Sequence, residues 1–261
     1  MFSQSKRDKR IGEEKYNNQG SLMRIVEYID HNNVIVEFQD KYKARVKIEY
    51  GNFIKGQVKN PYFPEVYGVG MVGNKYPVTI DGKILKEYYA WNNMIKRCVD
   101  EGVKNKHHTY QDVLCCEEWL LYENFYEWLH NQDNFDKWVV GGKWSIDKDV
   151  LLKNSKIYSA ETCCLIPQNV NKLFTKRNAK RGDLPIGVTK RKDRYVSQCN
   201  NPITNKKEYL GMYPIPETAF QAYKKRKEEI IKQVAKIEYE SGNITKRCYD
   251  AMMKYEVEIT D

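Results

Sequence analysis

Between Trp144 and Phe174 the chain reads WSIDKDVLLKNSKIYSAETCCLIPQNVNKLF, and its polar residues stand where no core requires them. Asp147, Lys148 and Asp149 follow one another, Asn154 sits in the run KNSK, and Asn169 and Asn171 lie in the segment after Pro167. A lysine with an unperturbed pKa near ~10.4 is protonated at neutral pH and accepts no proton from water unless burial or a neighbouring cation depresses it. Two flanking aspartates do the opposite, so Lys148 is expected to stay charged. A second group that could do chemistry is the pair His107 and His108 in KNKHHTYQD. Imidazoles there could bind a metal or shuttle protons, although adjacent histidines in a polar loop are more commonly just solvated.

Those residues need a frame. Trp144 and Ile146 alternate with polar neighbours, which predicts a strand; Lys153 to Lys156 make a polar turn; Thr162 to Ile166 form a second short strand. Pro167 is suited to the first position of a helix carrying Val170, Leu173 and Phe174. The result is a strand, loop, strand, helix unit, ββα. Two amphipathic helices precede it. KEYYAWNNMIKRCVDEG repeats Tyr88, Trp91, Met94, Ile95, Cys98 and Val99 at helical spacing and is expected to stop at Gly102. EEWLLYENFYEWLHN puts Trp119, Tyr122, Phe125, Tyr126 and Leu129 on one side, and Trp91, Trp119, Phe125 and Trp128 are the expected aromatic core.

Composition bounds the rest. The chain has 261 residues, 30% charged and 41% hydrophobic, with no apolar run near the ~18 residues that span a bilayer and no signal-peptide core in MFSQSKRDKR. A soluble intracellular protein without membrane partners is expected. Seven cysteines, including the neighbours Cys115-Cys116 and Cys163-Cys164, do not make a disulfide framework, and without a C-x-x-C pair no structural zinc is expected.

The expected organisation is α+β in five segments: a mobile arm at 1–20, a small N-terminal β barrel or meander at 21–67, a linker at 68–84, a helical region carrying the ββα unit at 85–178, and a three-stranded sheet packed on a helix at 179–261. MRIVEYIDHNNVIVEFQDKYKARVKIEY alternates around a turn at Asp30 to Asn33, and Tyr50 to Val58 reads as its continuation in strands. LPIGVTKRK, DRYVSQCN and KKEYLGMY read as three antiparallel strands before a helix starting at Pro216, with Ala219, Phe220, Tyr223, Ile230, Ile231 and Val234 against the sheet. Thr245 can cap a last helix, and YEVEITD closes the chain against its own domain.

Charge is concentrated at that last sheet. From Lys172 to Lys207 eleven Lys or Arg face only Asp183 and Asp193, a net +9 in 36 residues that equals the +9 of the whole chain. Interleaving with strands turns a charge run toward phosphate binding. The candidate nucleic-acid-binding residues are Lys176, Arg177, Lys180, Arg181, Lys190, Arg191, Lys192, Arg194, Gln198, Lys206 and Lys207. Most are lysines, which meet phosphate as point charges, so modest sequence preference is expected.

WNNMIKRC, EEWLLYENFYEWL, IDKDVLLKNSKIYSAETCCLIPQNVNKLF and LPIGV together resemble phage-encoded proteins of the HNH endonuclease class. Residues 179–261 are similar to the plant ethylene-response-factor (Apetala-like) DNA-binding domain, through Gly187-Val188, Tyr195 to Gln198, Tyr209-Leu210-Gly211 and the helix residues Ala219, Phe220, Ala222 and Tyr223. The resemblance implies a divalent cation (Mg²⁺ or Mn²⁺) on Asp147 and on Asn171 (or Asn169), Asn154 as the central asparagine that polarises a general base, double-stranded DNA as partner, and the bacterial host cytoplasm as location. The general-base position holds Lys148 where the family has histidine. Three readings stay open: Lys148 as a transition-state cation beside another base such as His107, His108 or His130; a degenerate ββα fold kept for DNA binding; or a structural charge cluster. A non-enzymatic counter-defence factor, such as an anti-CRISPR-type inhibitor binding a host nucleoprotein or RNA, is the alternative function.

Overall fold

The computed structural model describes residues 9–175 and 183–259. The chain is mixed α and β, and it divides into two compact units, Met1–Glu127 and Trp128–Asp261.

In the first unit β1 (Glu14–Tyr16), β2 (Leu22–Asp30), β3 (Asn33–Phe38) and β4 (Arg45–Ile48) form an antiparallel sheet in the order β1-β2-β3-β4. This is an open meander, and no closed barrel forms among the described residues. Met23, Ile25, Val34, Val36 and Phe38 are fully buried on one face, as period-two alternation demands. Each such side chain contributes about 1.5–3 kcal/mol by leaving water. Asp30 holds the hairpin by accepting from the amide of Asn32 at 2.8 Å, and it pairs with Asn33 across the turn.

Two readings of this region change. Part of the expected mobile arm is ordered: β1 pairs with β2, and buried Asn17 donates to the carbonyl of Val58 at 2.8 Å. The stretch after β4 is a helix, α1 (Tyr50–Lys55), where strand was expected. Tyr50 and Phe53 are three apart and both buried, a helical spacing hidden inside an aromatic-rich run. Gly56 stops it at φ 67°, donating to the carbonyls of Asn52 and Phe53, a left-handed cap that glycine adopts without a Cβ penalty.

The segment expected as linker wraps onto the unit. Buried Glu123 accepts from the amides of Asn74 at 2.7 Å and Lys75 at 2.6 Å, and Tyr62 donates its hydroxyl to the same carboxylate at 3.3 Å. A hairpin, β5 (Thr79–Ile80) with β6 (Lys83–Ile84), leads into α2 (Lys86–Val99). Trp91, Met94, Ile95 and Cys98 line its buried face, and the Trp91 indole donates to the carbonyl of Trp119 at 2.7 Å. The helix ends at Asp100, not Gly102. Asp100 accepts from the amide of Val103 at 2.8 Å and so caps a second short helix, α3 (Glu101–Lys106), in which Gly102 lies. Trp119 belongs to a 3₁₀ turn, and α4 (Tyr122–His130) buries Tyr122, Phe125 and Leu129, while Trp128 is only half-buried.

The second unit contains α5 (Phe135–Val139), then β7 (Trp144–Asp147) paired antiparallel with β8 (Cys164–Pro167), then α6 (Gln168–Phe174). Pro167 closes the strand and precedes the helix instead of opening it. After these come β9 (Val188–Arg191), β10 (Arg194–Asn201) and β11 (Lys206–Tyr213), antiparallel in that order, followed by α7 (Pro216–Glu240) and α8 (Lys246–Met253). Proline begins α7, and Thr245 caps α8 by accepting from the amide of Cys248 at 3.3 Å.

One core joins the ββα unit to the C-terminal sheet and helices. Ile166, Val170, Leu173 and Cys164 from the ββα unit share a buried cluster with Val188, Cys199, Phe220, Ile230, Cys248 and Met252. Gly187 (φ 78°) has no room for a side chain, because a Cβ there would run into the ring of Tyr223. The tail joins the core through Val257, whose amide donates to Glu228 at 2.9 Å and whose carbonyl accepts from Lys224 at 2.9 Å. Among the described residues no helix is long and apolar enough to cross a membrane.

Candidate functional site

Asp147 ends β7, and its side chain turns back onto the chain. One carboxylate oxygen accepts from the amides of Asp149 at 2.9 Å and Val150 at 2.8 Å, and the residue is buried. Burial raises its carboxyl above the usual carboxylate range, against the lowering pull of those amides. Lys148 is pinned beside it: its ammonium donates to Asp149 at 2.8 Å and to the carbonyl of Ser155 at 2.7 Å. That leaves its side chain only 12% exposed, with both contacts to acceptors. Asn154 supplies the left-handed residue of the turn, φ 60°, a conformation that asparagine tolerates better than most.

Asn169 donates to Glu238 at 2.7 Å, and Asn243 donates to the same carboxylate at 2.8 Å, so Asn169 ties α6 to the end of α7. Asn171 is half-buried on α6. His107 closes α3, with its ring edge-on to Tyr110 at 5.9 Å, and His108 opens a 3₁₀ turn. Both belong to the first compact unit, whereas Asp147 and Lys148 belong to the second. The ring of His130 lies 3.9 Å from that of Phe135.

The acidic side chains of this loop have partners within it: Asp147 places one oxygen on two amides, and Asp149 is bound to the Lys148 ammonium. Among the described residues no three His, Cys, Asp or Glu side chains gather where they could hold a metal ion. The cysteines are free thiols, and burial pushes that of Cys163 up to about 12.

The loop carries a pH-dependent stability term whose sign follows from Asp147. A carboxyl raised by burial contributes stability that is complete below its unfolded pKa of ~3.9 and is lost as pH rises through the higher folded value. Asp147→Asn keeps an oxygen for the two amides and carries no charge. Its denaturation midpoint, compared with wild type over a pH series starting at ~4, is expected to gain on wild type as pH rises through the folded carboxyl's titration and then to hold that gain. Asp147→Ala strands the amides and costs about 1–3 kcal/mol. A wild-type-to-Asn difference that does not change with pH would contradict a carboxyl whose burial outweighs the pull of its two amides.

The C-terminal sheet has a different character. Register pairs Arg191 with Arg194, Thr189 with Val196, Val196 with Met212, Gln198 with Tyr209, and Asn200 with Lys207. Val188, Ser197, Cys199 and Tyr195 point to the helix side, where all but Ser197 join or pack on the core, so strand alternation puts those pairs on the opposite, outer face. A bulge between Ser197 and Gln198 sits beside Gly211 and keeps Gln198 and Tyr209 on that face.

Arg191, Arg194, Gln198 and Lys207 therefore share the outer face. Lys190 and Lys206 are exposed but on the alternate parity, and Lys192 occupies the β9–β10 turn at φ 54°. Lys176, Arg177, Lys180 and Arg181 lie outside the described residues. Tyr209, 61% exposed, and Thr189, Asn200 and Met212 were not among the sequence candidates. Their signal was period-two spacing from the basic positions, legible only once the register and the bulge are known.

The sheet's acidic residue is turned away from that surface. Glu208 points to the helix side and takes a two-pronged contact from Arg226, at 2.6 and 3.0 Å, with Asn201 donating at 2.7 Å. Arg226 first, then Asn201, hold its carboxyl down to about 2. Its charge is matched on the inner side, leaving the arginines and lysine of the outer face uncompensated by it. No protein-family model, no curated protein and no solved structure matches this chain.

Proposed function

We propose that the protein binds double-stranded DNA through the outer face of β9, β10 and β11, and that the ββα unit is a degenerate HNH-type platform that braces this sheet. The observation that carries the reading is the row of Arg191, Arg194, Gln198 and Lys207 on one face of a three-stranded sheet whose other face is packed on α7. A twisted sheet backed by a helix can enter the major groove, with guanidinium and ammonium groups meeting phosphates and base edges. The net +9 of residues 172–207 supplies the long-range attraction.

Catalysis is left out of the proposal on chemical grounds. Lys148 is an ammonium bound to two acceptors, so it holds no lone pair for a proton from water, and Asp147 is turned onto backbone amides.

The test is fluorescence anisotropy with a duplex of about 25 base pairs over a salt series, beside plasmid incubated with Mg²⁺ or Mn²⁺. Affinity is expected to fall steeply with salt, roughly as the 0.9 power of salt for each phosphate neutralised. Plasmid is expected to stay supercoiled. Binding indifferent to salt sinks the DNA reading, and nicking that Asp147→Ala abolishes sinks the degenerate-site reading. A stable complex with a host protein that ignores added DNA would point instead to the inhibitor class.

A further inference from the structure

The outer face of the sheet is not uniformly basic. Next to the Arg191–Arg194 pair runs a second row, Thr189–Val196–Met212, crossing all three strands. Thr189 is exposed, Met212 is half-buried, and Val196 gives the row a buried apolar floor at its centre. The row after it is Gln198–Tyr209. An apolar stripe between a guanidinium pair and an amide–phenol pair is out of place on a face built only for phosphate, where lysine or serine would serve.

We infer that this row reads thymine, through contact of the Thr189 methyl and the Met212 side chain with thymine 5-methyl groups in the major groove, so that the ligand is DNA and not RNA. The inference rests on the DNA-binding reading above and adds which bases are recognised. The thymine methyl is the one apolar group that the major groove of unmodified DNA presents, and Thr methyls and other apolar side chains are its natural partners. Duplex RNA carries uracil, and its major groove is too narrow and deep for side chains to read. Successive rows on one face of a strand are about 6.8 Å apart, roughly two base-pair steps. With the strands running along the groove, the apolar row therefore meets bases about two steps from those facing Arg191 and Arg194.

The test compares two duplexes of about 24 base pairs, alternating dA·dT and the same sequence with deoxyuridine for thymidine, which differ only in the methyl groups. Wild type is expected to bind the thymidine duplex about fourfold more tightly for one methyl buried and about fifteenfold for two, the factor for a methyl-sized group leaving water. Thr189→Ser and Met212→Ala are expected to bring that ratio toward one while leaving the salt dependence unchanged, and Thr189→Val to preserve it. Equal affinity for the two duplexes, with salt-dependent binding intact, overturns the thymine reading and leaves DNA binding standing. Salt-independent or absent binding of both overturns the DNA reading itself. Tighter binding of the matching RNA duplex overturns the choice of DNA.

Discussion

Replacing Arg191 and Arg194 together by alanine is expected to weaken duplex binding by about a hundredfold or more near ~150 mM salt and to reduce the slope of log affinity against log salt by about two. The two arginines are direct cross-strand partners on the exposed face, so each meets the ligand from an adjacent strand. A good guanidinium contact to a base or phosphate is worth about 1–3 kcal/mol, and both are lost here. The control is Lys190→Ala with Lys206→Ala, which removes the same formal charge from positions of the alternate parity. Point charges off the contact face act only through the general field, so this variant is expected to lose less than about tenfold and to keep most of the slope. Equal losses in the two double variants would mean that the ligand does not lie on the outer face. Neither change touches the buried cluster, so unchanged thermal unfolding guards against a trivial loss of fold.

The second large effect is on stability. Ile166→Ala is expected to cost about 2–5 kcal/mol and Ile166→Val about 0.5–1.5 kcal/mol, the usual range for a fully buried isoleucine. Ile166 lies in β8 of the ββα unit with no exposed surface, in the same cluster as Phe220, Ile230 and Cys248. A cavity there loosens both halves of residues 128–261 at once. Hydrogen exchange followed by mass spectrometry, over a urea series, should therefore show peptides from 144–174 and 188–213 losing protection at the same concentration in wild type, and at a lower shared concentration in Ile166→Ala. Protection lost in 144–174 alone, with 188–213 and DNA binding at their wild-type midpoint, would make the ββα unit and the sheet independent modules. In that case it could not be the brace assigned to it above.

Much of this arrangement can be read locally. Helix α7 announces itself by proline at its start and by Ala219, Phe220, Tyr223, Ile230, Ile231 and Val234 at helical spacing, all of which are buried. The three C-terminal strands and the strand, loop, strand, helix order of Trp144 to Phe174 follow from alternation and turn residues in the same way. Such signals depend on a few neighbours along the chain, which is why they survive without tertiary information. Where two local patterns compete they mislead. Tyr50 and Phe53 sit in a run that reads as strand, yet they enter the core as one helical face. At Gly102 a nominal helix breaker lies inside α3, because the carboxylate of Asp100 sets the boundary two residues earlier.

The candidate site divides along the same line. By itself the sequence determined which chemistry is present around Asp147: two aspartates with a lysine between them, and asparagines at turn and helix. It determined equally that the positive charge of the chain gathers between Lys172 and Lys207. Those are facts of residue type and spacing. Direction was decided by the tertiary structure alone. Asp147 faces inward onto the amides of Asp149 and Val150, Asn169 is drawn off to Glu238, and Glu208 is turned to Arg226, while Arg191, Arg194 and Lys207 are aimed to the outer face. The physical reason is that a strand aims successive side chains to opposite sides, and which side is buried depends on the partner strand, the bulge at Ser197 and the helix packed beneath. Each is a contact between different elements, and the alternation within any one strand does not say which of its faces will be covered.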